Sequence, residues 1–138
     1  MAGLYGNQGV AIKYNSETDL LTIPASTDLS TKQYFLVKLA ADEQAATPGT
    51  KGEKVIGVQL NKPDAENKST KVQIDGVGVV YAGATISTGN YLVTDAAGEA
   101  IQADAAGQHV FGMALHDAVD GDLVHFKFMN LETNAADS

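Results

Sequence analysis

The chain has 138 residues, a hydrophobic fraction of 44% and a formal net charge of −8. This is the length and composition of one globular domain, which argues against wholesale disorder. The absence of Cys excludes disulfides and Cys-ligated zinc. The chain has 17 acidic residues but only 9 lysines and no arginine. The phosphate backbone of a nucleic acid would therefore repel it, and an anionic membrane surface is a poor partner for the same reason.

The two ends of the chain differ in composition from its middle. No apolar run approaches the ~20 residues of a membrane span, and the start lacks the pattern of a secretion signal. We expect residues 1–14 to form an extended, flexible N-terminal arm, residues 15–130 a single β domain, and residues 131–138 a flexible acidic tail. The arm offers four apolar side chains for burial against a partner: Leu4, Tyr5, Val10 and Ile12.

The hydrophobic pattern along the middle has a period of two. Tyr34–Leu39 and Gly76–Tyr81 are rich in β-branched and aromatic residues, while Lys71–Asp75 and Val124–Phe128 alternate between apolar and polar. The helix-favouring stretch Leu39–Ala46 is long enough for one or two turns only. Turn dipeptides separate the strands: Pro48-Gly49, Asp75-Gly76, Gly89-Asn90, Ala97-Gly98 and Asp120-Gly121. The pattern predicts an all-β domain, built as a small barrel or a sandwich.

An internal repeat runs through these strands. Gly52–Leu60 and Gly107–Leu115 share the pattern G-x-x-V-Φ-G-Φ-x-L, where Φ is apolar, at an offset of 55 residues. Similar segments flank both copies: Tyr34–Val37 resembles Tyr91–Val93 upstream, and Val72–Ile74 resembles Val124–Phe126 downstream. Because two units are too few for a solenoid, the repeat predicts two pseudo-equivalent β units within one domain.

A glycine occupies the same position in both copies, Gly57 in the first and Gly112 in the second. A glycine inside a strand marks a bulge, a sharp bend or a close approach of another backbone. We therefore expect Gly57 and Gly112 to be equivalent structural bends.

The side chains that could bind a metal ion are concentrated in the segment HDAVDGD. His116, Asp117, Asp120 and Asp122 superficially resemble a metal loop. Calcium loops, however, need a longer series of oxygen ligands, and zinc sites need further His or Cys ligands at fixed spacing. A hairpin turn at Asp120-Gly121-Asp122 explains the same residues, so no metal site is predicted.

The remaining polar residues form no acid–base pair. His125 lies on the polar side of an alternating strand, and His109 stands where the first copy has Lys54, which favours solvated positions for both. Gly76–Val79 lacks the third glycine and the following helix of a dinucleotide-binding loop. We expect a protein that is not an enzyme and carries no cofactor.

The second half of the chain resembles the head decoration, or capsid cement, proteins of tailed bacteriophages. The segment Ile86–Gly98, ISTGNYLVTDAAG, matches the first part of their pattern, and Gly112–Phe126, GMALHDAVDGDLVHF, matches the second. The match is close over the last third of the chain. With the first repeat it extends to about two thirds.

This resemblance implies a compact barrel-like or tulip-like domain that binds the major capsid protein on the outer capsid surface. It also implies a homotrimer at three-fold or quasi-three-fold positions, and an N-terminal arm that lies across the shell. Such a protein would be made in the host cytoplasm and located in the virion. Two alternatives stay open: a β-sandwich module that binds a carbohydrate or protein, and a small enzyme or enzyme subunit.

Overall fold

A computed structural model describes residues 20–133 of the chain. The arm residues Leu4, Tyr5, Val10 and Ile12 lie outside the described residues. Within them the fold is all-β, as predicted, with one 3₁₀ turn at Ala41–Glu43. The ten strands are β1 Leu20–Pro24, β2 Leu36–Ala40, β3 Gln44–Ala46, β4 Gly57–Gln59, β5 Ser69–Gln73, β6 Val77–Tyr81, β7 Tyr91–Thr94, β8 Ala100–Gln102, β9 His109–Ala114 and β10 Leu123–Glu132.

The strands form two open, five-stranded antiparallel sheets. The first has the order β1-β5-β4-β2-β3, and the second has the order β6-β10-β9-β7-β8. Isolated parallel bridges, Ala25 to Ala45 and Ala82 to Ala100, bring the two edge strands of each sheet together without closing a barrel. Of the architectures expected from the sequence, the two sheets are consistent with the sandwich.

The two sheets have the same topology, which confirms the predicted repeat. Leu36 lies opposite Val58 in the first sheet, and Tyr91 lies opposite Met113 in the second. Corresponding residues in these pairs differ by the 55 positions found in the sequence. The strands β1–β5 and β6–β10 are therefore two copies of one supersecondary unit.

The alignment of the flanking segments between the copies was wrong by two residues on both sides. Upstream, Leu36 corresponds to Tyr91, so Tyr34 corresponds to Gly89 and not to Tyr91. The downstream error has the same size. Val72 lies opposite Gln59, and Phe126 lies opposite Ala114, so Val72 corresponds to Phe126. The sequence pattern alone pairs Val72 with Val124. A shift of two residues keeps every side chain on the same face of a strand, so the hydrophobic alternation could not detect the error.

Two apolar cores follow from this arrangement. One lies within the first unit and consists of Ala25, Leu29, Val37, Ala45 and Val72. The larger core combines the inner face of the second sheet with Leu36, Val55 and Val58 of the first unit. Since neighbouring residues of a strand point to opposite faces, Val37 enters one core and Leu36 the other. The first sheet therefore has apolar residues on both faces.

The C-terminal end of the β domain lies further along the chain than the sequence predicts. Strand β10 includes Leu131 and Glu132, and Thr133 is buried, so the tail expected from Leu131 begins no earlier than residue 134. The Thr133 hydroxyl donates to the Ala105 carbonyl and accepts from the Gln108 backbone amide. These long-range bonds hold a segment whose polar composition suggested a frayed end.

Left-handed backbone conformations recur at matching positions, but the residue types differ. In the second unit the φ > 0 positions are all glycines, whereas four of the five in the first unit carry side chains. The matching pairs are Tyr34 and Gly89, Glu43 and Gly98, Gly52 and Gly107, and Asn67 and Gly121. Residues other than glycine rarely adopt this region, because Cβ clashes with the backbone. The first unit therefore holds more backbone strain.

Replacing Glu43 with Gly should stabilise the domain. The side chain is exposed at φ 64°, and relief of the left-handed strain exceeds the entropic cost of glycine by about 0.5–1 kcal/mol. Chemical denaturation measures the change. The control Glu66→Gly, also exposed but with φ outside the left-handed region, should lose about 0.5–1 kcal/mol. Equal losses in both variants would contradict the assignment of strain.

The variants Gly57→Val and Gly112→Val should both be destabilised. A Cβ on Gly57 would lie 2.1 Å from the Gln73 carbonyl oxygen, and one on Gly112 would lie 2.4 Å from the Phe126 ring. Overpacking of this kind costs about 1–3 kcal/mol or more. The control Gly49→Ala meets open space. Unchanged melting temperatures for both valine variants would contradict the close approach at these glycines.

Candidate interaction surface

The repeated G-x-x-V motif carries a polar side chain that closes a loop, a role that the sequence analysis missed. In the first unit a carboxylate oxygen of Glu53 accepts from the backbone N–H groups of Gly49 and Thr50, at 2.6 and 2.7 Å. In the second unit Gln108 occupies the same position, and its side-chain oxygen accepts from the N–H groups of Asp104 and Ala105. The signal was present in the sequence, since Glu and Gln share an acceptor oxygen at the same place in both copies.

The two loop-closing side chains differ in charge. Burial would raise the pKa of Glu53, but the N–H donors of Gly49 and Thr50, together with Lys38, lower it below its usual value of 4.5. Gln108 instead uses its amide N–H to donate to the Asp104 carboxylate at 3.0 Å. The first loop therefore depends on an ionised carboxylate, and the second does not.

The HDAVDGD segment forms the loop between β9 and β10. Asp117 accepts from both the backbone N–H and the hydroxyl of Thr88, each at 2.8 Å, and the Thr88 backbone N–H is the main cause that lowers the pKa of Asp117. Asp122 accepts from the Val119 N–H at 3.1 Å. Gly121 has φ 90°. The carboxylates of Asp117 and Asp122 thus bind the protein's own turn.

The histidines at this end of the molecule are paired. The His125 backbone N–H donates to Nε2 of His116 at 3.0 Å, and Nδ1 of His125 lies 3.2 Å from the same nitrogen. Nδ1 of His116 then donates to the Asp117 carbonyl. Both side chains are exposed, in agreement with the solvated position expected for His125.

His109 is not the solvated residue expected from its match with Lys54. It is half-buried, and its Nε2 lies 2.7 Å from the Asn130 side-chain oxygen. The difference arises because β10 continues past Phe128 and runs beside β9, which places Asn130 next to the ring.

A shallow groove of about 440 Å³ lies between the two units. Phe35 and Tyr81 line it, with their ring centroids 5.4 Å apart, and Lys32 lies 4.8 Å above the Phe35 ring. Glu99 also borders the groove; burial and the carboxylates of Asp95 and Asp120 raise its pKa. An aromatic pair beside polar groups is the feature that a carbohydrate-binding module would use.

The outer face of the second sheet, the side away from its core, is largely apolar. Four side chains on it are between 37% and 58% exposed: Val77, Tyr91, Leu115 and Leu123. Register places Val77, Lys127, Met113 and Tyr91 in one row across β6, β10, β9 and β7. Exposed apolar side chains gathered on one face are typical of an interaction surface.

Residues 20–133 contain no group of three or more Asp, Glu or His side chains arranged to hold a metal ion. No helix in this same range is long and apolar enough to cross a bilayer.

The fold is similar to that of a solved phage protein. That structure is described as the head fiber gp8.5 N base in bacteriophage phi29. The TM-score is 0.65 and the sequence identity is 23%, over 82% of this chain and 97% of the other. No family model matches the chain, and no curated protein sequence matches it significantly. At this identity the similarity shows the shared fold alone.

The reciprocal variants Glu53→Gln and Gln108→Glu test the loop-closing role. Because the pKa of Glu53 is lowered, its contribution to stability is present above about pH 4.5 and is lost as the pH falls through the folded-state pKa. Glu53→Gln should therefore flatten the loss of stability in acid. Gln108→Glu should destabilise the domain at neutral pH by placing a carboxylate beside Asp104. Denaturation midpoints between pH 3 and pH 7 provide the measurement. Identical pH profiles for Glu53→Gln and wild type would contradict the account.

Proposed function

We propose that the chain is a structural virion protein that binds the outer surface of a tailed-phage capsid and stabilises it. In this proposal it acts as a homotrimer at three-fold or quasi-three-fold positions, with the major capsid protein as its partner. It performs no catalysis and needs no cofactor. It is made in the host cytoplasm and reaches its place during virion assembly.

The observation that supports this proposal is the similarity in fold to the base of a phage head fibre. The alignment includes 97% of that base, so the similarity extends to the whole of its domain. Many β-sandwiches have unrelated functions, and the fold alone does not select one. The motifs in Ile86–Gly98 and Gly112–Phe126 resemble head decoration proteins independently of the fold. Two separate lines of reasoning therefore favour a phage head.

The charge of the chain fits the outside of a capsid better than the inside. With a net charge of −8 and no arginine, the protein would be repelled by packaged DNA. Three of its nine lysines are also paired with carboxylates: Lys38 with Glu53, Lys51 with Asp104, and Lys68 with Asp64. These pairs leave less positive charge free to bind phosphate.

Stabilisation of a shell requires only binding. A protein that binds the assembled shell and not its dissociated subunits stabilises the shell by RT ln(1 + [L]/Kd) per site. A trimer that contacts several capsid subunits at once gains further affinity from multivalency. Neither effect needs a moving part or a catalytic group.

The N-terminal arm is the proposed anchor to the capsid. Leu4 and Tyr5 would each contribute about 1.5–3 kcal/mol on full burial, whereas ordering the surrounding glycines costs about 1–2 kcal/mol per residue. A capsid subunit can make the ordered arm favourable by pairing its backbone with the arm as an added strand. Val10 and Ile12 would extend the same contact towards β1.

Deletion of residues 2–9 should leave the melting temperature unchanged and severely weaken binding to the capsid. Calorimetry on the free variant and co-sedimentation with undecorated heads measure the two effects. The pair Leu4→Ser/Tyr5→Ser should lose binding, while the matched pair Asn7→Ser/Gln8→Ser should keep it. If the deletion variant sediments with heads as wild type does, the arm is not the anchor.

A further inference from the structure

The internal repeat allows the two sheets to be compared position by position on the side away from each unit's own core. In the first sheet, four residues form a row across β1, β5, β4 and β2: Leu20, Gln73, Val58 and Leu36. In the second sheet the matching row is Val77, Lys127, Met113 and Tyr91. The two rows occupy equivalent positions in the two units.

In the first sheet this row is covered by the second unit. Val58 and Leu36 are 0% and 1% exposed, and both belong to the core that contains Val80 and Leu92 of the second unit. Gln73 donates from its side-chain amide to the Val77 carbonyl at 2.9 Å, which joins the row to β6. One five-stranded unit of this chain therefore packs on the outer face of another.

In the second sheet nothing among residues 20–133 covers the equivalent row. Val77 is 58% exposed and Tyr91 37%, where their counterparts Leu20 and Leu36 are less exposed or fully buried. Leu115 lies in the next row, where its backbone N–H donates to the His125 carbonyl, and it is 45% exposed. Its counterpart Leu60 packs against the shared core.

The charge of the outer face also suits self-association. The two rows that contain Val77, Tyr91 and Leu115 also carry Lys127 and His125 and no carboxylate, and the nearest one along β10, Glu132, lies opposite His109 at the far end of the strand; the chain as a whole has a net charge of −8. Two acidic copies repel each other over most of their surfaces. At this face they can approach without placing like charges in contact.

We propose that a second copy of this chain docks on the outer face of the second sheet, with Tyr91, Leu115 and Val77 at the centre of the contact. The occupant follows from the molecule itself, because the equivalent face of the first sheet is already covered by a repeat unit of the same chain. This inference rests on the self-association included in the proposed function, and it assigns that association to one surface. A head-to-tail contact of this kind closes into a ring when the rotation between copies permits.

The variant Leu115→Glu tests the assignment, with Leu39→Glu as its matched control. Leu39 is 52% exposed and lies on β2 of the first sheet, away from the outer face. Sedimentation equilibrium over a wide concentration range should show that wild type and Leu39→Glu self-associate equally. Leu115→Glu should associate at least about tenfold more weakly, because a buried unpaired carboxylate is costly. Thermal melts of all three proteins establish that they are folded.

Two results would overturn the proposal. One is undiminished association of Leu115→Glu, and the other is a wild-type protein that stays monomeric at every concentration. Co-sedimentation with undecorated heads separates this failure from failure of the proposed function. A monomeric wild type that binds heads, and loses that binding on Leu115→Glu, would assign the face to the capsid protein instead. Loss of self-association with head binding retained would support the proposal.

Discussion

The burial of Leu36 and Val58 against the second unit is the contact on which the rest of the structure depends. These two side chains project from the face of the first sheet that is opposite to its own core, and they form part of the core of the second sheet. They belong to the same buried cluster as Val80 and Leu92 of the second unit. The packing joins two copies of one small unit into a single sandwich, and it leaves the equivalent face of the second sheet uncovered. Stability and a candidate interaction surface thus have the same origin.

Much of this fold could be predicted from the sequence, because period-two alternation and turn glycines are local signals. The all-β class, the repeat and the offset of 55 all followed from such signals. The strand register downstream of Val72 could not be predicted, since a slip of two residues preserves the alternation. The extent of β10 was also missed, because Leu131–Thr133 is held by bonds to a distant loop at Ala105 and Gln108. The left-handed conformations of Tyr34 and Glu43 gave no local signal at all.

The surface was harder to predict than the fold. The sequence indicated single polar residues, such as His125 and Asp117, but it did not show that Val77, Lys127, Met113 and Tyr91 form one row. That row depends on register across four strands. The role of Glu53 and Gln108 could have been found from the repeat, because both copies place an acceptor side chain after the same glycine. A hydrogen-bond acceptor side chain at the same position of both repeats is not detected when only the pattern of apolar residues is compared.

In the proposed function this acidic, two-sheet protein binds the outside of a phage head. Electron microscopy of undecorated heads, mixed with the purified protein and compared with untreated heads, tests it most directly. We expect added density at regularly spaced positions on the outer surface, in a fixed ratio to the major capsid protein. Heads that look the same with and without a saturating amount of folded protein would contradict it.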